Sequence, residues 1–116
     1  MVAVPDGVPP STPALVEPIA VAVHAVNRAA PEERVLVIGG GSIGLLCAAV
    51  LADRGVAVDV LARHLAQLAA AGALGAGTTV CGRYRAVIDA AGTASSMEQA
   101  VRAAERGGRV VLVALP

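Results

Sequence analysis

The sequence predicts an α/β fold built on a parallel sheet of four to five strands with flanking helices. Three observations point to it. Short β-branched runs alternate along the chain with stripes of helix length. The first run, Val35-Leu36-Val37-Ile38, is apolar at every position, as suits a parallel strand buried on both faces. A glycine-rich turn then leads from this run straight into a striped helix. At 116 residues the chain is one domain at most.

Residues 1–12, rich in Pro, Gly and Ser, form an extended lead-in. Residues 13–30 form an apolar linking helix, capped by Ser11 or Thr12 with Pro13 in its first turn. Pro18 lacks an amide proton and predicts a break or restart. From Ile19 to Ala30 the segment is apolar on nearly every side, so it requires a cover that this chain does not obviously supply. Beyond Val35–Ile38, the residues Ile43, Leu46, Cys47, Val50 and Leu51 give one core-facing helical stripe that ends near Gly55. Val56–Leu61 is a second strand, and His64–Ala71 a helix with Leu65, Leu68 and Ala69 on one face. Thr78–Val80 is a reduced edge strand or no strand, because the five residues Cys81–Arg85 reach only about 17 Å before the next strand begins. Ala86–Asp89 is that strand. Ser95 and Glu98 have the spacing of a capping box for a helix striped by Met97, Ala100, Val101 and Ala104. Gly107-Gly108 stop it, and Arg109–Ala114 is a last strand.

Composition excludes several function classes. Nine basic residues, all arginine, balance nine acids, so there is no charge excess for nucleic acid. Tyr84 is the only aromatic residue, which excludes stacking platforms, and without lysine there is no Schiff-base chemistry. Mean hydropathy is +0.71. The uncharged run from Val35 to Ala52 approaches the length of a membrane span, but five of its residues, Gly39-Gly40-Gly41-Ser42 and Gly44, would weaken a spanning helix. The run reads as core. The N-terminus has no signal-peptide pattern and two cysteines make no disulfide framework, so the expected location is the cytoplasm.

Gly39-Gly40-Gly41-Ser42-Ile43-Gly44 is a G-x-G-x-x-G turn in the context its physics requires, after a buried strand and at a helix start. Gly39 allows the tight turn, Gly41 lets the backbone approach a pyrophosphate, and Gly44 lets helix and strand lie close. The free amides at the helix start, including those of Ser42 and Ile43, would face the phosphates. Residues 31–116 therefore read as a truncated Rossmann-type dinucleotide-binding domain. A ligand-free turn and flavin or S-adenosylmethionine domains are the alternatives. An acid at the tip of the second strand would hold the 2′-hydroxyl of NAD, and an arginine there would accommodate the 2′-phosphate of NADP. Asp59 has the spacing for the first role but falls mid-strand between Val58 and Val60, as a polar group bonded to a neighbouring loop. The tip is Ala62-Arg63-His64, where Arg63 suits a phosphate and His64 could support it, so NADP(H) is favoured over NAD(H).

The segments Leu15–Val26 (with Glu17-Pro18), Val35–Leu46, Ala86–Gly92 and Gly107–Pro116 resemble, in order, the nucleotide-binding half of zinc-type medium-chain dehydrogenases, and among these the sorbitol (polyol) branch. The resemblance implies that Ala90, Ala91 and Gly92 border the adenosine and that Val113, Ala114 and Leu115 border the nicotinamide. It also implies an alcohol or polyol oxidoreductase in which a catalytic zinc acts as Lewis acid during hydride transfer. In the polyol branch the Glu17 position lies beside that zinc; a helix-start acid favoured by the dipole is the other reading of it. The chain departs from the pattern in several ways. By the resemblance, the Cys and His-Glu zinc ligands of the catalytic domain are not among these residues, the helix between the third and fourth strands is deleted, and Ala114 replaces a usual glycine. Cys47, Cys81, His24 and His64 have no ligand spacing. The chain alone is expected to bind the cofactor without oxidising an alcohol, unless a separate catalytic domain joins it. A non-catalytic NAD(P)H-sensing module and a remnant that self-associates through Ile19–Val26 are the other two readings.

Overall fold

A computed structural model describes residues 13–113. In chain order it contains α1 (Pro13–Ala29), β1 (Val35–Ile38), α2 (Ser42–Asp53), β2 (Val58–Leu61), α3 (Leu65–Ala73), β3 (Tyr84–Asp89), α4 (Ala94–Ala103) and β4 (Ala104–Leu112). The four strands form one parallel sheet in the order β2-β1-β3-β4, with Val35 opposite both Val58 and Ala86. The connections leave β1 toward opposite edges of the sheet, so a switch point lies between β1 and β3. The predicted fold class is the observed one.

The strand pleat divides the core. Val35, Val37, Val58, Val60, Ala86 and Ile88 point to one face, where they meet Ala22, Ala25, Val26 and Ala29 of α1, Cys47, Ala48 and Leu51 of α2, and Ala71 of α3. Leu36, Ile38, Tyr84 and Val87 point to the other face and meet Ala100 of α4. The cover missing for α1 in the sequence is supplied by α2 and by the strands β3 and β4. α1 runs unbroken through Pro18. That proline lies near the helix start, where it gives up one backbone bond, and packing of the later turns outweighs this loss.

Several local expectations are corrected. α4 is capped by Thr93, whose hydroxyl accepts from Ser96 N–H while the Ser96 hydroxyl accepts from Thr93 N–H; the box is Thr93–Ser96 and not Ser95–Glu98. Its buried face is Ser96 and Ala100, whereas Met97 and Val101 are exposed. A buried hydrogen bond from Ser96 to Asp89 sets the rotation of the helix, so apolar residues off that line turn outward. In α3, Ala71 is buried and Leu65 is exposed, because the first turn stands at an open rim. α4 ends at Ala103; Gly107, at φ +79°, and Gly108 belong to an irregular start of β4 that faces the Tyr84–Ala86 register shift.

Thr78–Val80 forms no strand. Only Gly77 bridges to β2, through Val60 N–H to Gly77 O at 2.8 Å and Gly77 N–H to Val58 O at 2.9 Å. Because this bridge lies near the N-terminal end of the sheet, the chain needs only to move sideways to β3. Three strand spacings come to about 15 Å, and a six-residue link reaches roughly 20 Å.

Beneath that link lies Asp59, 3% exposed. It accepts from Arg34 Nη1 at 2.7 Å and from the Tyr84 hydroxyl at 2.6 Å. The same hydroxyl accepts from Cys81 N–H at 2.9 Å, which ties the link to the sheet. Burial, together with the bond to Asp59, holds the Tyr84 hydroxyl above its ordinary pKa. Asp59 is thus bonded chiefly to groups flanking β1 and β3 as well as lying against the Gly77 loop, and a side chain at Gly77 would strike its carboxylate.

Candidate functional site

At the opposite, C-terminal end of the sheet, beside the switch point, the ends of β1, β2 and β3 open into a cleft of about 390 Å³. That is within the size range of small-ligand sites, roughly 300–1,000 Å³. Gly39 has φ +107°, a conformation that side chains rarely adopt, and its N–H donates to Leu61 O at 2.8 Å. A Cβ there would lie 3.0 Å from Ala91 N, and one on Gly44 would collide with the Gly39 carbonyl. A Cβ on Gly40 would come within 2.7 Å of the Cβ atoms of both Ala62 and Gln67. A Cβ on Gly41, by contrast, would meet nothing within 4 Å, and Gly41 is the N-cap of α2 without a side-chain cap. The turn is therefore packed on three sides and open at the helix start, where backbone donors lack helical partners.

The facing wall is the turn after β3. Asp89 is 1% exposed, and its Oδ1 accepts from Ala91 N–H at 3.0 Å and Gly92 N–H at 3.2 Å. Its Oδ2 accepts from the Ser96 hydroxyl at 3.0 Å, and Ala90 N–H donates to Ile38 O at 2.8 Å. This pins Ala90–Gly92 against the glycine turn.

Gly39, Gly41, Ala62, Arg63, His64, Ala90 and Ala91 all line the cleft. Ser42 is exposed at the start of α2, Ile43 packs on the core, Gly44 is buried under the turn, and Gly92 supports the wall at φ +71°. Val113 lines a separate groove between α1 and β4, and Leu115 lies outside the described residues. Glu17 is exposed on α1; among the described residues no three His, Cys, Asp or Glu side chains are grouped to hold a metal. Burial pushes the Cys47 thiol up to about 11, which suits a core residue rather than a ligand.

Sequence patterns did not point to Gln67, Thr93, Ser96 and Gln99, which line the cleft from α3, α4 and the α4 cap. Helical spacing placed none of them, because their convergence depends on how two helices meet one sheet edge. For Asp89 a signal did exist, since it is a polar residue closing the apolar run Ala86–Ile88. Among the described residues Arg63 and His64 are the only ionisable ones lining the cleft, and no acid is paired with Arg63.

The fold and this glycine-lined cleft define a Rossmann-type α/β unit. No family model matches the chain. It is 51% identical over 57 residues to L-galactonate-5-dehydrogenase of Escherichia coli (strain K12), covering 47% of this chain and 17% of that protein. An alignment of 128 residues with the uncharacterized zinc-type alcohol dehydrogenase-like protein YdjJ of the same strain covers 94% of this chain and 37% of that protein at 32% identity. Galactitol-1-phosphate dehydrogenase from Escherichia coli superposes with a TM-score of 0.77 at 26% identity, over 97% of this chain and 38% of that one. The chain is accordingly a relative of the zinc-type alcohol and polyol dehydrogenases, and it spans well under half the length of these proteins.

Proposed function

We propose that this chain is the nicotinamide-dinucleotide-binding portion of a zinc-type alcohol or polyol oxidoreductase, and that it favours NADP(H) over NAD(H). The observation that carries the cofactor preference is the lining of the cleft: Ala62 stands at the strand tip, Arg63 follows it, and no carboxylate of the described residues faces the space. An acid at that tip would repel a 2′-phosphate, and an unpaired guanidinium attracts one.

In this reading residues 31–116 are the dinucleotide-binding domain and the helix of residues 13–30 links it to a catalytic domain; the lead-in expected at residues 1–12 lies outside the described residues. The glycine turn and the open start of α2 hold the pyrophosphate, and Arg63 with His64 takes the 2′-phosphate. Ala90–Gly92 back the adenosine, and the resemblance assigns Val113, in the groove between α1 and β4, to the nicotinamide end, while Leu115 lies outside the described residues. Bound nicotinamide supplies hydride transfer. The described residues do not fit a zinc ion: their cysteines and histidines lie on separate elements, one cysteine is in the core, and Glu17 belongs to no group of three or more His, Cys, Asp or Glu among them. Zinc chemistry and substrate contacts belong to a catalytic domain outside these residues. The cytoplasm is the location in this reading, on the cysteine usage of the sequence. Among the described residues no helix is long and apolar enough to cross a membrane.

Calorimetric titration with NADPH and NADH tests the proposal. NADPH should bind more tightly, and Arg63→Ala should weaken NADPH about tenfold while changing NADH less than about twofold. Equal binding of both nucleotides, or an Arg63→Ala variant that binds NADPH normally, would overturn the preference.

A further inference from the structure

Asp89 is a buried carboxylate behind the Ala90–Gly92 wall of the cleft, 1% exposed and paired with no cation among the described residues. All its partners belong to the turn after β3 and to α4: Ala91 N–H, Gly92 N–H and the Ser96 hydroxyl. The Ser96 hydroxyl also lies 2.9 Å from Thr93 O and accepts from Thr93 N–H at 2.8 Å. One carboxylate therefore fixes both the turn that stands 3.0 Å from a Cβ on Gly39 and the rotation of the helix that carries Ser96 and Gln99 into the cleft.

We infer that Asp89 is the positioning residue of the nucleotide cleft. It holds the Ala90–Gly92 wall and the first turn of α4 at the spacing a bound adenosine needs, and it does so through hydrogen-bond geometry rather than charge. This rests on the dinucleotide reading of the cleft given above. The geometry makes a specific demand on the side chain. Two backbone donors need an acceptor on one branch, and the Ser96 hydroxyl needs a partner on the other. Asparagine meets both needs, because its Oδ1 accepts from the two amides and its Nδ2 donates to Ser96 Oγ, whose own proton turns to Thr93 O. Alanine meets neither and leaves two turn amides without their acceptor.

The test uses the full chain and titrates it with NADPH and with adenosine 2′,5′-bisphosphate, following the Ala91 and Gly92 amide resonances. Asp89→Ala should weaken both ligands at least tenfold by the same factor and speed exchange of the two amides, with the far-ultraviolet spectrum kept. Asp89→Asn should restore affinity to within about threefold. Ser96→Ala, which removes one branch of the Asp89 contacts together with the acceptor of Thr93 N–H, should fall between them and serves where Asp89→Ala does not fold. Wild-type affinity in Asp89→Ala or in Ser96→Ala would overturn the positioning role while leaving the cleft intact. Equal losses in the Asn and Ala variants would overturn the geometric account in favour of charge. No binding of either ligand by the unaltered chain would overturn the cofactor reading itself, and the positioning role with it.

Discussion

The two buried aspartates of the sheet, Asp59 and Asp89, are used in different ways at its two ends. At the N-terminal end Asp59 is matched by a guanidinium and a phenol, so its carboxylate is fully used within the cluster and opens onto no cleft. At the C-terminal end Asp89 has no cation among the described residues; it gathers two backbone amides and a hydroxyl, and the groups it arranges border an open cleft. The closed cluster fastens strand starts beneath a shortened crossover. The open one shapes a loop. Burial of a carboxylate therefore does not mark a functional site by itself, and the distinction lies in whether its partners complete the polar set or leave a surface available.

The largest effect is expected at the closed end. Asp59→Ala strips the Tyr84 hydroxyl and Arg34 of their shared acceptor and should cost about 3 kcal/mol in urea unfolding, since half of the Arg34 side chain remains in water. NADPH affinity should be unchanged because the cleft is at the other end of the sheet; a parallel loss of affinity would show that the two ends are coupled. Gly44→Ala should cost about 2 kcal/mol through the collision with the Gly39 carbonyl. It should also abolish NADPH binding, and a variant that still binds would mean the turn can relax without losing its function. Arg63→Ala, at an exposed position, should alter stability by no more than about 0.5 kcal/mol and act on NADPH affinity alone.

A further effect is in alkaline stability. Folding raises the Cys47 thiol from 9.0 to about 11 and raises the Tyr84 phenol as well. Between the unfolded and folded values the unfolded chain has lost protons that the native chain keeps. Stability is therefore full below about pH 9 and declines as pH rises toward 11. Urea midpoints measured from pH 7 to 11 should fall only in that upper range. At pH 8 a thiol reagent should label exposed Cys81 rapidly and Cys47 only on unfolding; equal labelling rates would contradict the burial of Cys47.

Patterns local in sequence were sufficient for β1, the glycine turn and the stripe of α2, whereas β4 begins at Ala104, within the span read as helix, and not at Arg109. A fully apolar run and a helix-opening G-x-G-x-x-G depend only on neighbours within a few residues, and β1 and α2 lie where they predict. Asp59 was likewise legible as a mid-strand residue and not the strand tip. The capping of α4 was less so, because Ser95 and Thr93 are both acceptable caps on sequence alone. A buried bond from Ser96 to Asp89, seven residues earlier, selects the register.

The parallel α/β architecture, the glycine turn and the composition of the strand tip at Ala62-Arg63 are properties of the sequence alone. They follow from hydrophobic periodicity and from backbone freedom that only glycine has. Other features exist only once the elements have packed. α1 continues through Pro18, Met97 and Leu65 face outward, and Gln67, Thr93, Ser96 and Gln99 converge on one cleft. Each of these is settled by contacts between separate elements, whose packing and buried hydrogen bonds outweigh the local preferences that sequence patterns report.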